Sequence, residues 1–478
     1  LSTRTSPSKI SGIYEIPGAL PIVGHLLHLG DDHASICEKW WRTYKHSVFQ
    51  IRLGNTRAVV INSFEDCKRM LLGHQSASID RPTLYTFHGV ISSTQGFTIG
   101  SSPWDDSCKN KRKAAGQTLG RPAMRRYHPM FDLETRCIVR DLVRDSRGDG
   151  KYLEIRPYLQ RYALNTTLTL CYGIRMDGVW DDMLREVLEV GSAISLLRSA
   201  SENYQDYIPI LRYMPNNEKT QRSKSLRARR DKYLTDLLDR VREKIQHGTD
   251  KPCVSAAILK DEETKLTEVE VSSICLSLVS GGFETIPGTL TSCIGSLSTP
   301  QGQVFQERAY QDIKRHYPNI EDAWKESLHA ENVPYVNAIV KEAGRYYTVS
   351  SMSLPRRAYE EIIFDGARIP KGTMILINAQ AANHSTEHFG PNADKFNPEH
   401  WLSSLSPPEE TPASGIQHFS FVASETEPPN VHYVDYNQFK SALVAIPRDF
   451  KVKLIPRDVE ATERCMQQAE LRTKDAYY

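Results

Sequence analysis

From about residue 128 to 350 apolar residues recur at every third or fourth position, and that period predicts helices. The pattern is clearest over 131–146, 154–172, 226–246, 267–296 and 333–346. Alternation with a period of two is confined to short runs. VFQIRL (48–53) and AVVIN (58–62), separated by Gly54, Asn55 and Thr56, predict a β-hairpin. Short strands are expected at 361–364 and 373–378, and a second hairpin from ALVAIP (442–447) with FKVKLI (450–455). FEDCKRMLLG, 64–73, reads as a helix closed by Gly73. Pro17, Gly18, Pro21 and Gly24 make the start an extended lead-in. Residues 403–415 read as a loop rich in Pro and Ser, and 457–478 as a polar, mobile tail. No internal repeat or interior linker is visible. The expectation is a mainly α, single-domain fold with small peripheral β-sheets: lead-in 1–30, domain 31–456, tail 457–478.

Composition narrows this only a little. The chain has 478 residues, 40% hydrophobic and 25% charged, as in ordinary globular proteins. A net charge of +2 gives no reason to expect a nucleic-acid partner. The cysteines number nine, an odd count with no CxxC spacing, so neither a disulfide frame nor a structural zinc site is expected. No stretch is read as approaching the ~18 apolar residues that span a bilayer. The best, ALPIVGHLLHL at 19–29, is short and holds Pro, Gly and His. The chain begins at Leu1.

Four stretches carry candidate chemistry. In VSSICLSLVSGGFETIPGTLTSCIG (271–295), Gly281, Gly282 and Pro287 interrupt an apolar helix. A helix-interior Pro costs ~3 kcal/mol and a Gly ~1. Glu284 and Thr285 sit at that weak point, where an acid and a hydroxyl can relay protons. The plain alternative is a kinked core helix with a satisfied threonine. Glu342 and Arg345 share a helix face, which as a surface pair contributes only ~0.2–0.5 kcal/mol. FNPEHW (396–401) is either a site segment or a loop that packs Phe396 and Trp401. Trp104 precedes the basic residues Lys109, Lys111, Arg112 and Lys113. These form a solvated face, a nuclear-targeting run, a dock for an acidic partner, or a grip on an anionic cofactor edge.

In this order and spacing the stretches resemble a cytochrome P-450 over nearly the whole chain. IPGALPIVGHLL is similar to the hinge after that family's membrane anchor. The resemblance implies the α-rich fold, with 267–296 as its longest central helix, and haem b as cofactor. It implies electrons from NADPH through a reductase that docks on the basic run. Glu284 and Thr285 become the proton-relay pair. Trp104, Lys109, Arg112 and Arg356 become contacts of the haem carboxylates. Glu342, Arg345 and His400 become the family's structural triad, to be found paired and buried. It also implies an anchor preceding this chain and a place on the cytoplasmic face of the endoplasmic reticulum membrane. The stretch VDYNQFKSALVAIPRDFKVKLIPRD (434–458) is similar to fungal phenylacetate-hydroxylase-type members.

The chain departs from the family at four places. Ile286 replaces a second hydroxyl, His400 an arginine, and Cys108 a basic residue. The fourth is larger. The family's FxxGxxxCxG loop, whose cysteine thiolate ligates the iron, should follow Phe421. Here VASETEPPNVHYVDY follows, and no cysteine lies between Cys293 and Cys465. The next helix is missing too, together on the order of 20–30 residues by ordinary helix lengths. This resembles a block excised after 421, not gradual divergence. No metal ligand is assigned, and a histidine-held haem has no motif in support. Two readings stand: a haem-thiolate monooxygenase of a small aromatic or lipophilic substrate, or a haem-free remnant such as a splice product or a misjoined coding sequence. The loss is expected to bare one side of helix 267–296, whose Ile274, Leu276, Leu278, Val279 and Phe283 cannot all point one way.

Overall fold

The computed structural model describes residues 8–146, 151–176, 178–199, 203–214, 217–261, 266–327, 332–402, 419–424 and 426–474. Its long helices are α1 (Asp106–Leu119), α2 (His128–Ser146), α3 (Arg156–Tyr172), α4 (Asp182–Leu196), α5 (Glu218–Gln246), α6 (Glu268–Gly282), α7 (Thr285–Ser298), α8 (Pro300–His316), α9 (Pro334–Tyr346) and α10 (Val459–Thr473). Local chemistry sets many starts. Asp105, Asp181 and Asp458 each accept a first-turn backbone N–H, and Thr267 with Glu270 forms a reciprocal capping box. The main core joins α3, α4, α5 and α6 through residues such as Leu168, Val187, Leu237 and Ile274.

Strands β1 (Tyr14–Glu15), β2 (Val48–Leu53), β3 (Thr56–Ile61), β4 (Arg356–Arg357), β5 (Ile362–Phe364), β6 (Ala367–Ile369), β7 (Met374–Ile377), β8 (Phe419–Ala423) and β9 (Val452–Pro456) form small sheets. The largest has the order β1-β2-β3-β7-β4. The lead-in joins it, with β1 parallel to β2 and Tyr14 opposite Phe49. The expected 403–415 loop lies outside the described residues.

Six expectations need correction. The 267–296 helix divides at Phe283 and Glu284, so the longest unbroken helix is α5, with 29 residues. Helix 64–73 narrows to Phe64–Lys68, followed by a wide turn Arg69–Gly73, and His74 ends it. Gly73 is not among the left-handed residues and so is no cap. The second hairpin is not formed as read: β9 pairs with β8, Phe421 opposite Leu454. The 442–447 run bonds elsewhere, the Ala445 N–H donating to Val349 O at 2.7 Å. Alternation marks a half-buried run but does not choose its partner. Glu268–Ser298 taken together is, after all, long and apolar enough to cross a membrane. Here its first half packs in the main core.

The fifth correction is the tail, which folds as α10. Ala461, Cys465 and Ala469 recur every four residues and are buried, a stripe of small side chains hidden in a polar sequence. Asp132 of α2 accepts from Arg472 Nε and from Trp324 Nε1, each at 3.0 Å. Deleting 457–478 is therefore expected to lower the urea midpoint well beyond the ~0.5 kcal/mol that loss of a free tail brings. An unchanged midpoint would show that the α10 contacts do not stabilise the fold.

The side chains expected to be bared are covered: Ile274, Leu276, Val279 and Phe283 are buried, and Leu278 packs against the same cluster. They face α3, α4 and α5, none of which belongs to the missing block. Apolar exposure lies at the start of α6, where Val269 is 47% exposed, and on α7, where Ile286 is 46% and Leu290 36% exposed. Ile286 and Leu290 stand four residues apart on one face.

Candidate active site

The break between α6 and α7 has a packing cause. Gly282 lies so close to α3 that a Cβ there would meet the Thr167 hydroxyl at 2.2 Å. Phe283 fills the space beside Gly191 of α4 in the same way. Glu284 then stretches to φ −113°, ψ −39°, still within the right-handed region, and α7 resumes at Thr285. The Thr285 hydroxyl donates to Gly281 O at 2.6 Å, satisfying a carbonyl at the break. The Glu284 carboxyl is buried. Burial pushes its pKa up, against a smaller opposite effect of Ser192 and Ser195. The break thus sets a buried acid with a raised pKa beside a hydroxyl.

Glu284 lies in the wall of a cavity of about 70 Å³, with Phe87, Ile194, Arg198, Phe283 and Leu443. A second cavity of about 90 Å³ shares Arg198 and Leu443 and runs along Ser350–Ser353 to Cys37.

Glu342 and Arg345 come together deep under α9, with side chains 0% and 2% exposed. Arg345 Nε and Nη2 donate to the two carboxylate oxygens at 2.8 and 2.6 Å. The same guanidinium donates to Asn383 O, Ala393 O and Lys395 O at 2.7–2.9 Å. The carboxylate also accepts from Asn397 N at 2.7 Å, Trp401 Nε1 at 2.9 Å and His400 Nδ1 at 3.2 Å. The FNPEHW segment therefore closes over the pair, and His400 takes part.

The basic run divides. Lys109, Arg112 and Lys113 are exposed. Lys109 pairs with Asp106 at 2.9 Å, and Arg112 lies 5.2 Å from the centre of the Trp104 ring. Lys111 does not share that face. It is 4% exposed, and its ammonium donates inward to Phe97 O, Ser102 and Ser273. Its place in the helix turns it toward the loop 97–102. Cys108 is buried too.

Arg356 donates to Ser78 O at 3.1 Å. Beside it stands Arg81, which the motif reading did not single out; its signal was only an arginine fixed before Pro82. Arg81 donates to Leu354 O and Pro355 O at 2.8 and 2.9 Å. Burial, then Arg356 and Arg112, push its pKa down to about 10. Burial and Arg112 also lower Arg356. The neighbouring Asp80 is engaged by Arg357 at 2.6 Å. This cluster of cations suits an anion with two carboxylates.

An α-rich body with small sheets, a central helix broken at an acid and a hydroxyl, and a Glu–Arg pair clamped under an aromatic segment together define a monooxygenase architecture. The cytochrome P450 family model matches residues 15–423; the chain belongs to that family and is an enzyme of its monooxygenase type. It is 42% identical to a phenylacetate 2-hydroxylase of Emericella nidulans, over 98% of this chain and 95% of the relative. It is 33% identical to a 3-hydroxyphenylacetate 6-hydroxylase of the same organism, over 94% and 90%. A cytochrome P450 monooxygenase of Mycosarcoma maydis is 34% identical over 95% and 84%. The first alignment runs over 499 positions against the 478 residues here, so at least 21 positions of the relative have no counterpart in this chain.

The family implies haem, and the residues fit its two ends differently. Arg81, Arg112 and Arg356 suit the carboxylates. The iron end does not fit. Cys37, the cysteine in the wall of the second cavity, is buried with its thiol pushed up, the reverse of a thiolate. Cavities of about 70 and 90 Å³ also fall below the ~300 Å³ at which sites for cofactor-sized groups begin. Among the described residues the chain therefore offers a grip on the haem edge and no thiolate for its iron.

Proposed function

We propose that this chain is the body of an NADPH-dependent monooxygenase that hydroxylates a small, single-ring aromatic substrate, and that its activity requires the block missing after Phe421. The observation that carries the reading is the apolar cavity, walled by Phe87, Phe283 and Leu443, that ends at Glu284 beside the helix break. The names of the two Emericella nidulans relatives support the substrate class. In this reading Glu284 holds a proton and Thr285 passes it on after its hydroxyl leaves Gly281 O. Trp104, Lys109, Arg112 and Arg356, with Arg81, hold the haem carboxylates. Glu342, Arg345 and His400 hold the frame. An acidic NADPH-cytochrome reductase docks on the exposed Lys109, Arg112 and Lys113. A preceding anchor holds the protein on the cytoplasmic face of the endoplasmic reticulum membrane.

The test uses a version carrying the first relative's block after Phe421, with reductase and NADPH. A one-ring aromatic such as phenylacetate is expected to gain one oxygen atom. Glu284→Gln and Thr285→Ala are each expected to slow product formation by about 10²-fold or more, the usual weight of general acid–base catalysis. No product from any one-ring aromatic would overturn the reading.

Glu284 also predicts a pH effect on stability. Its folded-state pKa is raised, so the folded chain binds more protons than the unfolded one above the ordinary glutamate value of 4.5. Stability must then fall as pH rises through that window toward the raised value. Glu284→Gln is expected to flatten this part of the profile, read as the urea midpoint from pH 4 to 8. An unaltered profile would mean that Glu284 ionises without cost.

A further inference from the structure

The cavity at the helix break and the second cavity share one cation. Arg198 follows α4 and stands in the wall of both. Its guanidinium lies 4.0 Å from the centre of the Phe87 ring, over the face of an aromatic wall. Among the described residues no carboxylate is paired with it. The charge that acts on it is Arg81, of like sign, and burial with Arg81 pushes its pKa down to about 10. His88, also nearby, stays neutral: burial, then Arg198, lower it to about 4. Its ring bonds Leu84 N and Ser101 O at 2.9 and 3.0 Å. Glu284 shares the first cavity but forms no ion pair with Arg198, and burial pushes its pKa up. The rest of that wall is mostly apolar, with Val187, Ile194, Leu276, Val279 and Phe283; its other cation, Arg230, is already paired with Asp231 at 2.7 Å.

A cation held in an apolar cavity without an anion is destabilising on its own. It is the complement of a carboxylate, which the guanidinium fork binds through two parallel hydrogen bonds. The space matches a small acid. An apolar cavity of about 150 Å³ holds benzene, and the two cavities here, about 70 and 90 Å³, share Arg198 and Leu443 in their walls, so a one-ring acid occupies both.

We infer that Arg198 anchors the carboxylate of an aromatic-acid substrate whose ring lies along the apolar wall toward Glu284. This rests on the proposed hydroxylation of a single-ring aromatic and adds which such substrates are taken, and by which residue. Neutral aromatics leave Arg198 unpaired and bind more weakly. Arg198 is a specificity residue and has no part in the proton relay.

The test is calorimetric titration of the full chain at neutral pH with two probes of one shape, phenylacetate and the uncharged phenylacetamide. Phenylacetate is expected to bind roughly 10- to 100-fold more tightly, the weight of a hydrogen-bonded charge pair of about 1.5–3 kcal/mol. Arg198→Gln is expected to abolish that preference, with a melt no lower than the parent's. Arg198→Lys is expected to keep part of it, which separates charge from fold. Equal binding of the two probes, binding of neither, or a preference that survives Arg198→Gln overturns the anchor. The hydroxylation reading is judged apart from this. If the version with the block oxidises neutral one-ring aromatics as fast as the acid, the anchor fails and that reading stands. If it oxidises none while the chain still binds phenylacetate through Arg198, the site is a binding site alone.

Discussion

Arg345→Leu is expected to yield a chain that neither accumulates in soluble form nor melts cooperatively. The substitution keeps the helix-forming character of α9 and much of the volume, so its effect comes from the polar groups left behind. Arg345 makes five hydrogen bonds, two to Glu342 and three to the carbonyls of Asn383, Ala393 and Lys395. Without it Glu342 is a carboxylate with 0% exposure and no strong cation. Removing one partner of a buried pair costs about 3–5 kcal/mol. Each stranded carbonyl adds about 1–3 kcal/mol. The whole fold has only about 5–15 kcal/mol. Arg345→Lys keeps a charge but not the planar fork, so it should fall between the two. Purified Arg345→Leu with a parent-like melting temperature would remove the pair from the list of what holds this fold.

The second large effect is all-or-none. Reduced and exposed to carbon monoxide, the chain as written is expected to show no thiolate-type Soret band, and the version with the block restored is expected to show one. Cys293 and Cys465 flank the gap, and neither can substitute. The first is buried with its thiol pushed up to about 12, and the second is buried on α10 with its pKa also raised by burial. The block should also change the surface of α7. Ile286 and Leu290 are 46% and 36% exposed. Full burial of such a side chain contributes about 1.5–3 kcal/mol, and roughly half of that remains to be gained at each. Dye binding to exposed apolar surface should fall and the melting temperature rise when the block is present. A thiolate band from the chain as written, or identical dye binding by the two versions, would contradict these expectations.

Much of this was readable from the chain. Helices 131–146, 154–172 and 333–346 were visible in the apolar period, because a helix repeats its own face whatever lies opposite. The weak point at Gly281, Gly282 and Pro287 was equally local: backbone freedom and a missing N–H act within a few residues. The spacing of Glu342 and Arg345 gave a shared face. It could not say whether that face met water, a difference between a few tenths of a kcal/mol and several. The departures at Cys108, Ile286 and His400, and the gap after Phe421, were facts of the sequence alone.

The sequence by itself determined where helices such as 131–146, 154–172 and 333–346 run, where the central one is weak, which side chains stand at that point and that no cysteine is offered after Cys293 until Cys465. Tertiary structure decided who meets whom. It gave β9 to β8 and not to 442–447, turned Lys111 inward while Arg112 stayed on Trp104, and docked the polar tail through Ala461, Cys465 and Ala469. It brought Arg81, Arg112 and Arg356 together from three distant segments and left Arg198 facing a cavity without an anion. The reason is physical. Dihedral preference and periodicity are properties of adjacent residues, whereas burial, desolvation and charge pairing depend on groups that only the folded chain brings within a few ångströms of each other.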